Sequence, residues 1–558
     1  MKYTYTEKEI PASWASDDVL SSLSPLTQKI LANRGFADVE ETKVFIRTEF
    51  GDVVNGTNLA DMDKLTHRLA EAVQNKEHII VYQDYDVDGC AACAIAVENL
   101  RRFGAIVDYY SNDRIVDGFG LCTNGIRNIV REFPDTKVIL TVDNGIVAFD
   151  GVNEANSLGL TVLITDHHSP TDDTLPAAYA IVNPKRHDET YPFKDFCGAG
   201  VILKVMFALA DLLGQDKSEV CKSIDLAAMA TVADVVPMAG ENRAITREGM
   251  KALNAGTRVF IRCLNESKNI KNVTAHDTVA FLYAPMINAV SRMGYNVRDV
   301  VSMLISDDAD FCMKSAVWLN DVNQQRKAEK EAEMKIAAAE LSTIGEKPNC
   351  IVLYNENFKE GIIGILAGNL KEKYKCPAIV FAPAEDGSLK ASARSTPGLN
   401  IIQTLKQLPQ FMLACGGHAL AAGFSIRKDA FEEFKEAFEK LVDENMDASL
   451  NVESRAIDAV VPAASITVKA INELKAMEPY GEGFSEPLIG VTANIISTRF
   501  MGAEKQHVKY VDESGFAIIK WNGAERAKQM AAAPRKFVGR LAVNEYNGIT
   551  SPQMVSEI

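Results

Sequence analysis

At 558 residues the chain is long enough for about three or four folding units. Its 47% hydrophobic and 24% charged residues exclude a mostly disordered or collagen-like polymer. A net charge of −16 excludes a surface coated in basic residues but leaves room for a local basic groove. The opening Met1-Lys-Tyr-Thr-Tyr-Thr-Glu lacks an apolar stretch, and the run at 201–214 is broken by Lys204 and Asp211, short of the ~18 residues a membrane span needs. Ten cysteines without a pairing framework fit reduced thiols. A cytoplasmic chain without membrane segments is expected.

In chain order, residues 1–50 read as an N-terminal helical segment. From 51 to 315 β and α patterns alternate: Ile/Val-rich runs at 78–82, 105–110, 137–142 and 160–165 are separated by helical periodicity at 90–103 and 148–157. This is the signature of an α/β domain built on a parallel sheet, in which ligands collect beyond the carboxyl ends of the strands. Residues 316–341 hold no Gly or Pro and are rich in Ala, Glu and Lys, which predicts one long helix over 316–343 as a solvated bridge between domains. A smaller α/β unit is expected at 344–447, with strands at 350–354 and 378–382 and a helix at 429–444. Over 452–558 short apolar runs at 488–497, 508–511, 516–521 and 536–547 read as an OB-like β-barrel.

The chemistry clusters at the strand ends. The run 78–82 passes into Gln83-Asp84-Tyr85-Asp86-Val87-Asp88-Gly89, and three carboxylates in five residues repel one another unless a divalent cation neutralises them or the turn is simply solvated. The next strand ends in Val142-Asp143-Asn144-Gly145, the following one in Asp166-His167-His168. A fourth cluster, Val232-Ala-Asp234-Val-Val-Pro237, puts an Asp into an apolar helical run. Four such clusters in one sheet domain point to a metal site. Mixed carboxylate and imidazole ligands favour manganese, with magnesium as the alternative, and so many ligands suit two ions. Two ions spaced for in-line displacement make phosphodiester or pyrophosphate hydrolysis the reaction class. No phosphate-binding Gly-x-x-x-x-Gly-Lys-Ser/Thr loop and no Gly-x-Gly-x-x-Gly after a strand supports ATP- or NAD-driven chemistry.

These motifs resemble the DHH phosphoesterase superfamily and, within it, the RecJ family of bacterial single-strand-specific DNA exonucleases, over nearly the whole chain. Asp84-Tyr-Asp-Val-Asp-Gly89, Val142-Asp-Asn-Gly145, Asp166-His-His168 and Val232-Ala-Asp-Val-Val-Pro237 match its four motifs in order. The resemblance implies metal ligation by Asp84, Asp86, Asp88, Asp143, His167 and Asp234, with His168 facing the scissile phosphate. Ala391-Ser392-Ala-Arg394-Ser395 and the Gly416-Gly417-His418 turn resemble the DHH-associated domain, whose backbone amides, guanidinium and imidazole meet phosphate; a capped turn is the other reading of His418. Arg114, Asn288 and Arg292 match stretches that line the strand path, with structural ion pairs as the alternative for the two arginines. Phe358-Lys359 stands where family members usually carry Trp-His, leaving Lys359 as the group to meet phosphate there.

The last hundred residues resemble the RecJ OB domain. Residues 499–540 hold nine Lys or Arg against four Asp or Glu, the footprint of a single-strand groove, with Phe500, Tyr510, Phe516 and Trp521 as stacking platforms or as barrel core. The expected protein is a monomeric, metal-dependent exonuclease for single-stranded DNA, working with a single-strand-binding protein or a helicase. The resemblance adds 5′ to 3′ polarity, mononucleotide products and a role in repair and recombination. The alternatives are a DHH phosphodiesterase for short oligonucleotides or cyclic dinucleotides, which usually lacks the OB unit, and a non-catalytic single-strand-binding scaffold, which loses ligands.

Overall fold

The computed structural model describes residues 2–48, 50–55, 58–112, 120–171, 173–342, 348–447, 454–528, 534–546 and 548–557. The α/β domain is built on a five-stranded, all-parallel sheet. Its strand order is Ile106–Ser111, His78–Gln83, Thr136–Val142, Thr161–Thr165, Ala180–Val182. The central strands are continuous Ile/Val/Leu runs because helices cover both faces, so no alternation with polar residues is possible. On one face lie Val87–Arg102 and Gly198–Leu213, whose Ala, Cys and Gly residues let helix backbones come close to the sheet. Cys90 and Cys93 are buried in this layer, their thiols pushed up by burial. Lys204, in the run that interrupts 201–214, is fully buried and satisfied by Glu241 (2.5 Å), the Tyr191 hydroxyl (2.8 Å) and the Val53 carbonyl (3.2 Å).

The long helix runs Ala309–Leu341, starting seven residues before the expected 316. It is capped by Asp308, whose carboxylate accepts from Asp310 N (2.9 Å) and Phe311 N (3.1 Å). It is also not a bridge through solvent. Cys312, Ala316 and Leu319 pack into the first domain, and Ala337 and Leu341 into the core of the second. The second unit is a five-stranded mixed sheet ordered Met412–His418, Ala421–Arg427, Ser388–Arg394, Ala378–Pro383, Ile351–Tyr354, backed by the helices Glu360–Tyr374 and Phe431–Asn445. Its three antiparallel strands add to the two expected from the sequence. Gly416, Gly417 and His418 close the edge strand Met412–His418, so they lie on a strand and not in the turn expected for them.

The C-terminal unit is a closed five-stranded barrel. Ile489–Met501 pairs with both His507–Asp512 and Pro534–Tyr546, and Ile549–Ser556 closes the ring between Pro534–Tyr546 and, in parallel, Ala517–Lys520. That order, with one parallel pair, is the OB arrangement. Ile549–Ser556 is the barrel strand that the apolar pattern did not disclose. Tyr510 and Phe516 are barrel core, whereas Phe500 and Trp521 are exposed, Trp521 against the edge of His507. The N-terminal helices Asp18–Ser22, Pro25–Asn33 and Val39–Arg47 share their core with the barrel, and Lys2–Thr4 pairs in parallel with Ser454–Ala456. Among the described residues no helix is long and apolar enough to cross a membrane.

Candidate metal centre

The carboxyl end of the parallel sheet gathers the acidic motifs. The first follows the strand His78–Gln83, where Asp86 caps the helix Val87–Arg102: its Oδ1 accepts from Asp88 N (2.9 Å) and Gly89 N (3.1 Å). Gly89 is obligatory, because a Cβ there would lie 2.6 Å from the Asp84 carbonyl oxygen. Asp88 is 2% exposed, and both its oxygens take backbone amides from a second helix N-terminus, Oδ2 from Gly198 (2.6 Å) and Oδ1 from Ala199 (2.8 Å). Asp143, after the strand Thr136–Val142, adopts φ +61°, a conformation that side chains enter at a cost and that the surrounding structure must hold. Asp234 caps the end of the helix Ile224–Ala233 with its side chain a quarter exposed, so it terminates the apolar run, largely but not fully buried.

Ligand atoms of Asp84, Asp86 and Asp143 lie within 4.8 Å of one another, as do those of Asp88, His167 and Asp234, and of Asp143, His167 and His168. His167 Nε2 is the hub, 3.1 Å from Asp143 Oδ1 and 3.7 Å from both Asp88 Oδ2 and Asp234 Oδ2. Asp166 is not in the cluster; it orients the histidines from beneath. Its Oδ1 accepts from His167 N (2.7 Å) and His168 N (3.1 Å) and meets His168 Nδ1 at 2.8 Å, while Oδ2 accepts from Ile146 N (2.9 Å). Burial alone would raise the Asp166 carboxyl, but these bonds and the facing His168 hold it below its usual value. They also push His168 up to about 9, against its own desolvation.

The residues fit a cation. Burial, then the facing carboxylates Asp88 and Asp86, raises the Asp143 carboxyl well above its ordinary value and pushes Asp234 up to about 8. Burial lowers His167, leaving its imidazole neutral, as a ligand must be. Asp143 Oδ1 and both ring nitrogens of His167 are buried without a hydrogen-bond partner. Carboxylates and imidazole nitrogens crowded together in a buried place with too few donors are costly unless a positive ion lies among them.

The remaining sequence candidates are placed as follows. Asn288 Oδ1 accepts from Val87 N (3.1 Å), so it braces the first acidic loop. Arg292 reaches the Gly361 carbonyl of the second unit (3.4 Å), where a Cβ on Gly361 would meet the Arg292 carbonyl at 2.1 Å. Arg394 donates to Ser392 Oγ (3.0 Å) and to its neighbouring Ala393 carbonyl (2.8 Å), and burial lowers its pKa. Gly364 allows its approach, since a Cβ there would lie 3.3 Å from Arg394 Nη2. His418 is exposed at the strand end, and Gly417, at φ +148°, would clash through a Cβ with the Ala421 carbonyl. Lys359, its side chain half exposed, pairs with Glu329 (2.6 Å). Arg114 lies outside the described residues. Sequence reasoning missed the amides of Gly198 and Ala199 that hold Asp88; the small-residue start Cys197-Gly-Ala-Gly200 of an apolar helix was the signal.

A metal-binding carboxylate and imidazole cluster at this sheet end defines a phosphoesterase of the DHH class, and the sequence agrees: the DHH family N-terminal domain matches residues 78–232, the DHHA1 domain 347–444 and the RecJ OB domain 457–557. The chain is 34% identical over 566 residues to the single-stranded-DNA-specific exonuclease RecJ of Escherichia coli, covering 96% of each. RecJ of Thermus thermophilus, solved in complex with Mn2+, aligns with a TM-score of 0.82 at 26% identity over all of this chain and 79% of that one, and its Mg2+ complex with 0.76 at 25% over 100% and 78%. The chain belongs to the RecJ family, and its acidic cluster is a divalent-metal site.

Proposed function

We propose that this chain is a metal-dependent exonuclease that hydrolyses the phosphodiester bonds of single-stranded DNA, releasing 5′-mononucleotides from the 5′ end in DNA repair and recombination. The observation that carries the reading is the convergence of Asp84, Asp86, Asp88, Asp143, His167 and Asp234 on one sheet end with lone pairs left over. We assign all six to metal ligation, with manganese preferred over magnesium because an imidazole is among them, and two ions because six ligands exceed the need of one. When bound, divalent cations supply an acidified water and neutralise the charge that develops on the leaving oxygen.

The chain's own groups do the rest. Asp166 holds the His168 imidazole protonated and turned toward the site, where it donates to a phosphate oxygen or to the departing oxygen. Across the cleft, Ser392, Arg394 and the Gly416-Gly417-His418 strand end bind the neighbouring phosphate, the guanidinium as a fork and the glycines by close backbone approach. Asn288 keeps the acidic loop in place, and Arg292 holds the two units at the spacing of one strand; Arg114 is assigned to the same path. The basic barrel, with Trp521 and Phe500, guides the strand without reading its sequence. We divide the chain into units at 1–50, 51–315, 316–343, 344–447 and 452–558, in a monomer of the cytosol to which a single-strand-binding protein or helicase delivers ends.

The test is manganese-dependent release of label from a 5′-labelled single strand and from its blunt duplex, for the unaltered chain and Asp143→Ala. Rapid mononucleotide release from the single strand, little from the duplex, and a loss of at least ~10²-fold in the variant are expected, since a buried ligand is removed. Cleavage confined to dinucleotides would replace the exonuclease by a small-substrate phosphodiesterase, and binding without cleavage under any metal by a scaffold.

A further inference from the structure

The junction between the α/β domain and the barrel turns on a buried charge. Arg243, in the helix Gly240–Ala255, is 0% exposed, and among the described residues it pairs with no carboxylate. Its guanidinium instead donates to the carbonyls of Phe45 (3.3 Å), Pro479 (2.9 Å) and Met477, and lies 4.3 Å over the Phe45 ring and 5.3 Å from that of Phe484. One turn on, Arg247 donates to the carbonyls of Ile46 (2.9 Å), Arg47 (3.1 Å) and Ala476 (3.3 Å). All but the Pro479 carbonyl end two helices, Val39–Arg47 of the N-terminal segment and Val468–Ala476, with its cap Met477, at the entrance to the barrel. Helix carboxyl ends carry partial negative charge and unsatisfied acceptors, so two arginines of the catalytic domain act as the shared cap of two helices that belong with the barrel.

Apolar contacts cross this joint at Met238 and Val232, which pack into the barrel-side core, and beside them the packing opens. A cavity of about 890 Å³ opens in the same joint, lined by Phe36, Phe45, Met238, Phe484 and Arg540 among others. The polar contacts give that packing its direction, and one more bears on it: Met238 N donates to the Glu482 carbonyl (2.7 Å), while the Met238 side chain is buried in the barrel-side core. Met238 stands four residues after Asp234, so one short segment carries a cluster carboxylate at one end and the barrel contact at the other.

We infer that Arg243, supported by Arg247, is a positioning residue that fixes the barrel relative to the metal centre, so that a strand held on the barrel is presented in register to the cluster. The inference rests on the exonuclease reading, and the experiment separates the two. Arg243→Lys keeps the charge but loses the fork, and Arg247→Ala removes the second, half-buried arginine if the first variant folds poorly. Both are compared with the unaltered chain on a 60-nucleotide strand and on a tetranucleotide too short to reach the barrel, and hydrogen exchange is followed at the Met238 amide. Expected are a KM for the long strand raised ~10-fold or more, kcat on the tetranucleotide within about twofold, and faster exchange at Met238. Unchanged exchange in both variants overturns the inference whatever the activity, as does faster exchange with an unchanged long-strand KM or with an equal loss on both substrates. If the unaltered chain degrades no strand, the exonuclease reading fails while the exchange still decides the joint.

Discussion

Gly198→Ala separates the chemistry of the site from the stability of the fold. Gly198 opens the helix Gly198–Leu213, gives its amide to Asp88 Oδ2 at 2.6 Å, and leaves so little room that a Cβ would sit 2.5 Å from Asp143 Cβ and 2.7 Å from Asp143 Oδ1. Restoring an ordinary contact of ~3.5 Å requires the helix end and the Asp143 loop to part by about 1 Å. The added methyl stabilises by about 0.4–1 kcal/mol through the unfolded chain and costs about 1–3 kcal/mol through overpacking, against a total stability of about 5–15 kcal/mol, so the protein stays folded. A 1 Å displacement of catalytic groups costs ~10²-fold in rate, about 2.7 kcal/mol, and a disturbed ligand support weakens metal binding ~10- to 100-fold. The assay is the initial rate on a labelled single strand, with a Mn2+ isotherm and a metal-free melting curve. Rate and Mn2+ affinity within twofold of the unaltered chain would refute the claim that this helix end holds Asp88 and Asp143 in place.

Two further substitutions probe the other units. Glu333 on the long helix is buried, accepts from Lys359 N (3.0 Å) with one oxygen and leaves the other unpartnered, and burial pushes its carboxyl up to about 7. A carboxyl raised on folding binds more protons native than unfolded, so stability is present below about pH 4.5 and falls as pH rises to about 7, by at most ~3 kcal/mol; in Glu333→Gln, urea unfolding at pH 5, 6, 7 and 8 should lose that slope. Trp521→Ala should weaken single-strand binding by about 1–3 kcal/mol in fluorescence anisotropy, with little change in melting temperature, because the ring is half exposed and meets the edge of His507.

Four strands of the parallel sheet were legible because each is a short apolar run that passes into a polar motif, the pattern that a strand buried on both faces and ending in a site must show; the fifth, Ala180–Val182, is too short at three residues to stand out. The long helix was legible in existence but not in role. Its average polarity suggested solvent, yet Cys312, Ala316 and Leu319 recur at spacings of four and three toward one domain, and Glu333, Ala337 and Leu341 at spacings of four toward the other. Two short buried faces on one rod vanish when hydrophobicity is averaged over it. The barrel's closing strand, Ile-Thr-Ser-Pro-Gln-Met-Val-Ser, carries only Met554 and Ser556 as fully buried positions, so no alternation announces it. At the site, the acidic motifs were readable because several carboxylates in one loop need a reason. The supports were not, since Asp88 and Asp166 are held largely by backbone amides, which every residue carries.

The same excess of carboxylates constrains how a polyanion reaches the site. Asp84, Asp86, Asp88, Asp143 and Asp234 gather with the neutral His167 among them and, of His167 and His168, only His168 carries charge. Phosphate brought beside them meets like charge in a poorly solvated place, where such interactions are large. A strand therefore docks at the reacting position only once the carboxylates are neutralised, whereas the barrel segment 499–540, with its surplus of five positive charges, is proposed to hold it either way. Affinity for a strand long enough to reach the barrel should then depend on Mn2+ only weakly, and affinity for a tetranucleotide steeply. Equal dependence for the two lengths would mean that the barrel contributes no anchor of its own.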